Sequence, residues 1–194
     1  MATLEFFYDF VSPYSYLAST RVEEVARRTG ATLRWRPFLL GGVFKATGNR
    51  SPIETVAKGR HMWTDLERWS RRLGVPLRRP QTFPVSSLLA LRAALAADKK
   101  GALVPYTHAV FRAYWAEGRD VASPAVLTAI VNEAGLDGAA LVALAPEHKA
   151  ALAANTEEAV ARGAFGAPTF FVGDEMFIGN DRLDFVEEAL RRAA

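Results

Sequence analysis

Two serines three residues apart, Ser12 and Ser15, enclose a proline and a tyrosine in the stretch YDFVSPYSYLA, Tyr8 to Ala18. A run of β-formers, LEFFYDF, precedes them, and apolar residues at helical spacing follow. Serine then proline is a common helix opening: the hydroxyl accepts an N–H, and proline fills the first position, where an N–H has no partner anyway. A second reading starts from the same geometry. A helix amino terminus just beyond a strand carries unpaired N–H groups and roughly half a positive charge, so it suits an anion. Cysteines at 12 and 15 would make C-x-x-C, and the anion would be the chain's own thiolate. Hydroxyls cannot exchange disulfides, but they can donate a hydrogen bond to a thiolate that a small-molecule thiol brings.

The chain has no cysteine, which excludes disulfides, thiol catalysis by its own side chains and cysteine-ligated zinc. His61, His108 and His148 are scattered without ligand spacing, so no metal is expected. With 194 residues, 50% of them hydrophobic and twelve of them Phe, one generous domain, or one carrying a large insertion, can bury a sizeable core. The net charge of +3 suits small anions but falls short of a nucleic-acid footprint. Arg68, Arg71, Arg72, Arg78 and Arg79 read as a solvated face. The amino terminus has acidic residues inside its apolar run and no basic segment before it, unlike a signal peptide. No stretch approaches the ~18 apolar residues that span a bilayer. A cytoplasmic protein without membrane or nucleic-acid partners is expected.

The elements that must position Ser12 follow from periodicity and punctuation. Leu4–Phe10 reads as a buried strand, Pro13–Thr29 as a helix closed by Gly30, and Thr32–Phe38 as a half-exposed strand, which makes a parallel βαβ unit. Ser51-Pro52-Ile53-Glu54 has the form of a capping box opening a helix to about Leu73. Helices are expected at Val85–Lys100, Val104–Glu117, Pro124–Ala134, Gly138–Ala145 and Glu147–Arg162. Strand signals return at Thr169, where TFFV and EMFI flank a Gly173-Asp174 hairpin turn. Asn180 or Asp181 then caps a last amphipathic helix. The expected class is α/β, ordered β-α-β, helical block, β-β-α, with 1–40 and 164–194 forming one unit and 41–163 an all-helical insertion.

The opening D-F-V-S-P-Y-S-Y-L-A, the later FGAPTFFVGDEMFIGNDRL and this order of elements together resemble one family. It is the kappa-class glutathione transferases and 2-hydroxychromene-2-carboxylate isomerases, relatives of the disulfide oxidoreductase DsbA with its thioredoxin-like fold. Gly-Asn-Asp-Arg-Leu and the opening are more similar to the isomerase branch. The resemblance implies that Ser12 supplies the catalytic hydroxyl beside a glutathione sulfur, with Pro13 and Tyr14, which open the helix there, among the glutathione-binding residues. A free thiol of pKa about 8.5 is only ~3% thiolate at pH 7, and lowering it by ~2 units takes about 2.7 kcal/mol. A helix terminus offers up to ~2 kcal/mol, and a hydrogen bond to a charged group ~1.5–3 kcal/mol. No general base is then required.

The same resemblance places a cis proline at Pro168, with the Ala167 N–H and C=O free to pair with the cysteinyl main chain; read alone, Pro168 is an ordinary trans proline at a strand start. It implies that Asn180 and Asp181 bind the γ-glutamyl end, and that Asn49 reaches the same ligand. Lys45 lies near the family's substrate lysine, offset by one residue, and could hold a substrate carboxylate. Phe83 stands where the naphthalene-pathway isomerases carry a tyrosine. Relatives are often dimers, which implies a homodimer here. The activity implied is glutathione-dependent cis/trans isomerisation of a small aromatic carboxylate resembling 2-hydroxychromene-2-carboxylate, glutathione acting as cofactor. Two other expectations stay open: a kappa-like transferase that releases the conjugate, and a redox-inactive thioredoxin-fold module that binds peptides beside Pro168.

Overall fold

The computed structural model describes residues 1–193. β1 (Thr3–Tyr8) lies parallel to β2 (Thr32–Pro37) and antiparallel to β3 (Thr169–Val172), which returns as β4 (Glu175–Ile178) through Gly173-Asp174. The strand order is β2-β1-β3-β4. Because strand side chains alternate, β1 gives Leu4, Phe6 and Tyr8 to one face and Glu5 and Phe7 to the other. The first face, with Trp35 and Phe170, forms the larger core, in which the Phe6 and Phe170 rings stack with centroids 5.2 Å apart. On the second face Phe7, Phe38 and Phe171 pack with Val43 and Ala159. Beside them Glu5 accepts from Arg36 and from Arg162, each at 2.7 Å.

The single helix expected over Pro13–Thr29 is two helices, α1 (Pro13–Ser19) and α2 (Val22–Thr29). The break has a local cause. Ser19 Oγ donates to the Tyr16 carbonyl and Thr20 Oγ1 to the Leu17 carbonyl, so hydroxyls compete for acceptors at the end of α1. A further helix, α3 (Leu40–Thr47), went unpredicted. Its start is held from afar: Leu40 N–H donates to Asp9 Oδ2 at 2.8 Å, and Leu39 N–H to Thr156 Oγ1 at 3.0 Å.

The Ser51–Glu54 capping box forms, with Ser51 N–H donating to Glu54 Oε1 at 3.1 Å, but it opens only a 3₁₀ turn, Pro52–Glu54. Extended Thr55 interrupts it, and α4 (Val56–Leu73) begins anew. A Cβ built on Gly59, in the first turn of α4, would come within 3.3 Å of Ile53 Cα, so that turn folds back onto the helix. Then come α5 (Leu88–Lys99), α6 (Leu103–Trp115), α7 (Pro124–Glu133) and α8 (Gly138–Leu144), each near its expected place. A 3₁₀ turn at Ala145–His148 leads into α9 (Lys149–Ala161). The last helix, α10 (Leu183–Arg192), starts later than expected. Asn180–Arg182 is a 3₁₀ turn, and neither Asn180 nor Asp181 caps α10 with its side chain.

The helical block is not a tethered appendage. Leu91, Val110, Phe111, Trp115, Leu127 and Val131 share the larger core with Leu4, Phe6 and Tyr8 of the sheet. Two bonds fasten it to β1 and the turn beyond: Tyr8 Oη lies 2.8 Å from Thr107 Oγ1, and Trp115 Nε1 donates to the Phe10 carbonyl at 2.8 Å.

Candidate active site

Where β1 ends, Asp9–Tyr14 form the floor of a cavity of about 500 Å3. Its walls come from the start of α3 with Phe44, the Asn49–Pro52 loop, the Phe83–Ser87 segment, and Phe165–Ala167 ahead of β3. The surface is chiefly apolar, and Asp9 and Arg50 are its two charged lining residues. The Ala167–Pro168 bond is cis, as expected, and the Phe83–Pro84 bond is cis as well.

Ser12 is 3% exposed, so only a group inserted into the cavity can reach it. Its Oγ accepts from Ser15 N–H at 3.1 Å, which is the helix cap. It also donates to the Ala167 carbonyl at 3.1 Å, across 155 positions of chain. Capping and facing the proline loop therefore coexist in one hydroxyl. The Ala167 carbonyl is not free, as the motif implied, but engaged by Ser12. The helix terminus is also less open than expected. Pro13 has no N–H, Ser15 N–H is bonded to Ser12 Oγ, and Tyr16 N–H to the Ser12 carbonyl. Tyr14 N–H is left in the first turn without a protein acceptor among the described residues.

Asp9 is fully buried. Burial raises its pKa above the ordinary carboxylate range, opposed by hydrogen bonds from Ser87, Leu40 N–H and Val11 N–H. Val11 on the floor and Leu40 at the start of α3 thus both bond one carboxyl. The sequence reading missed it, although an acidic residue inside LEFFYDF was the available signal. Tyr14 donates to Asp65 Oδ2 at 3.0 Å, tying α1 to α4. Its phenol pKa is raised by burial first, then by the charge and hydrogen bond of Asp65 and by the charge of Asp181.

Of the residues singled out from the sequence, Ser12, Pro13, Tyr14, Asn49, Phe83 and Ala167 line this cavity together. Asn49 Nδ2 donates to the Phe165 carbonyl at 2.7 Å, clipping the loop after α3 to the segment before β3. Pro168 is buried behind the cavity, its carbonyl accepting from Gly179 N–H at 3.0 Å. Lys45 is exposed on α3 outside the lining. Asn180 and Asp181 also lie off the lining, in the 3₁₀ turn that packs against α1. Asn180 is 2% exposed, and its Nδ2 is buried without a partner. Asp181 pairs with Arg182 at 2.7 Å. Arg50, Phe44, Met62 and Phe165 line the cavity and were not anticipated; no local pattern distinguishes them.

A parallel βα unit, an antiparallel hairpin, a helical block between them and a cis proline facing the first helix define a thioredoxin-like architecture of the DsbA type. The chain belongs to the DsbA-like thioredoxin-domain family, whose model matches residues 3–191. Within it, a 2-hydroxychromene-2-carboxylate isomerase of Sphingobium xenophagum is 37% identical over 192 residues, spanning 97% of this chain and 97% of that protein. The solved structure of a 2-hydroxychromene-2-carboxylate isomerase matches with a TM-score of 0.88 at 30% identity, covering 98% of this chain and 95% of that one. A kappa 1 glutathione S-transferase of Homo sapiens is 28% identical over 204 residues, spanning 97% of this chain and 90% of that protein. The family and the fold stand as the motifs implied.

Proposed function

We propose that this protein is a cytoplasmic glutathione-dependent cis/trans isomerase of a small aromatic carboxylate resembling 2-hydroxychromene-2-carboxylate. The observation that carries the reading is the pairing of Ser12 with Ala167 on the floor of an apolar cavity. It sets a hydroxyl donor and a main-chain acceptor side by side where a cysteinyl residue can meet both. Bound glutathione would supply a thiolate that adds reversibly to a conjugated carbon, so that a double bond becomes a single bond, free to rotate before elimination restores it.

The chain's own part is to hold that sulfur ionised and exclude water. Ser12 Oγ has one proton, which it gives to Ala167 in this structure. A cysteinyl N–H taking the Ala167 carbonyl releases that proton to point at sulfur, and Tyr14 N–H supplies a second donor. Hydrogen bonds to a charged acceptor are worth ~1.5–3 kcal/mol each, against 1.36 kcal/mol per pKa unit. Two such donors would lower a thiol by about 2–4 units, and desolvation of the thiolate in the cavity takes back part of that, leaving a net lowering of about 1–2 units. Residues next to the cavity support a tripeptide reading beyond its sulfur. Asn180 Nδ2 is a buried donor lacking an acceptor, beside Asp181, and together they suit the carboxylate and ammonium of a γ-glutamyl end. Asn49 borders the same cavity, Pro13 lies on its floor, and cis Pro168 lies buried behind it.

The test is the rate of cis/trans interconversion of such a substrate as glutathione is varied. A saturable dependence without net loss of thiol is expected, with kcat/KM lowered about 10- to 100-fold in Ser12→Ala. A rate indifferent to glutathione contradicts the reading. Stoichiometric loss of thiol with chlorodinitrobenzene and no isomerisation marks the transferase instead.

A further inference from the structure

Among the described residues, Arg50 is the one cation on the lining of the cavity that holds Ser12. Lys45, five positions earlier on α3, is not on it, and Lys58 faces an adjoining groove that shares Tyr14, Pro52 and Met62 as walls. The rest of the cavity suits a ring rather than a charge, with Phe44, Met62, Phe83, Phe165 and Ile178 around it. A planar apolar body with one anionic end matches that distribution.

The backbone at Arg50 is fixed while its head is free. Arg50 N–H donates to Asn49 Oδ1 at 2.8 Å, and Asn49 Nδ2 is clipped to Phe165, so the residue is anchored at the mouth. The side chain is 82% exposed and has one ionic neighbour, Glu54, at 3.9 Å. That acid is already engaged, its other oxygen accepting from Ser51 N–H at 3.1 Å. A weak, solvated pair of this kind leaves a guanidinium available for a carboxylate, which it can grip with two parallel N–H donors. The other charged lining residue, Asp9, is buried and accepts from Val11 N–H and Leu40 N–H. An anionic substrate is thus drawn with its carboxylate toward the mouth and its uncharged end toward Ser12.

We propose that Arg50 determines specificity by holding the carboxylate of the electrophilic substrate, so that the ring and conjugated carbon enter toward Ser12. This rests on the isomerase reading and names the residue that orients its substrate.

The experiment compares Arg50→Gln with the parent protein on a carboxylate substrate and on its methyl ester, and measures glutathione affinity separately by calorimetry. The carboxylate should lose about 10- to 100-fold in kcat/KM, chiefly through KM, and the loss should shrink as salt rises. The ester and the glutathione affinity should change less than about twofold. Equal losses on acid and ester overturn the proposal. So does a weakened glutathione affinity with an unchanged substrate KM, since Arg50 would then read the tripeptide. Calorimetry with trans-cinnamate separates the two levels. If glutathione-dependent turnover is absent but cinnamate binding still requires Arg50, the isomerase reading fails and the carboxylate site stands; if cinnamate binds equally to both proteins, the site falls.

Discussion

Asp9 carries a charge-bearing group into a fully buried place, and its consequences can be measured. The folded protein raises its pKa, so the native state binds the proton more tightly than the unfolded chain, whose carboxyl titrates near about 3.9. Stability contributed by the protonated form is present below that value and is lost as pH rises through the higher folded pKa. The Tm advantage of the parent protein over Asp9→Asn should therefore be greatest at low pH and shrink as pH is raised. The variant should also melt lower throughout, because an amide has one acceptor oxygen where Val11 N–H and Leu40 N–H each require one. Parallel Tm curves would contradict the assignment. At this scale the sequence was legible where a motif fixes neighbours: Ser12, Pro13 and Tyr14 lie where one helix turn must put them. Asp9 and Arg50 were not legible, because their partners are distant in sequence or absent until a ligand arrives.

At the scale of elements, the turn bearing Ser12 depends on a helix more than a hundred positions away. Trp115 Nε1 is the donor to the Phe10 carbonyl, in surroundings where neither group meets water. Trp115→Phe keeps the ring's bulk and removes the donor, leaving a buried acceptor at a cost of about 1–3 kcal/mol. The expected outcome is a Tm lower by about 2–10 °C for a chain of this size, with weaker glutathione binding as the floor loosens. A fall in Tm alone would mean that α6 stabilises the fold without positioning Ser12. Strands and long helices were readable because periodicity and Gly or Pro punctuation are local. The break between α1 and α2 was not, since it turns on which carbonyl the Ser19 and Thr20 hydroxyls select. Nor was α3, whose first N–H groups are satisfied by Asp9 and Thr156 rather than by a neighbouring cap.

Over the whole molecule, the helical block and the sheet bury one common core, and the cavity opens at their seam. The block supplies the Phe83 wall and the Trp115 bond while sharing the packing of β1. On the proposed reading, Ser12 and Tyr14 N–H are a donor pair for a sulfur that glutathione would bring. The most direct test is to titrate the thiol of bound glutathione by its thiolate ultraviolet absorbance, in the parent protein and in Ser12→Ala. The account predicts a thiol pKa about 1–2 units below the ~8.5 of a free thiol, moved at least halfway back by the substitution. A bound thiol that titrates like the free one, or a lowered pKa that Ser12→Ala leaves unchanged, would contradict it.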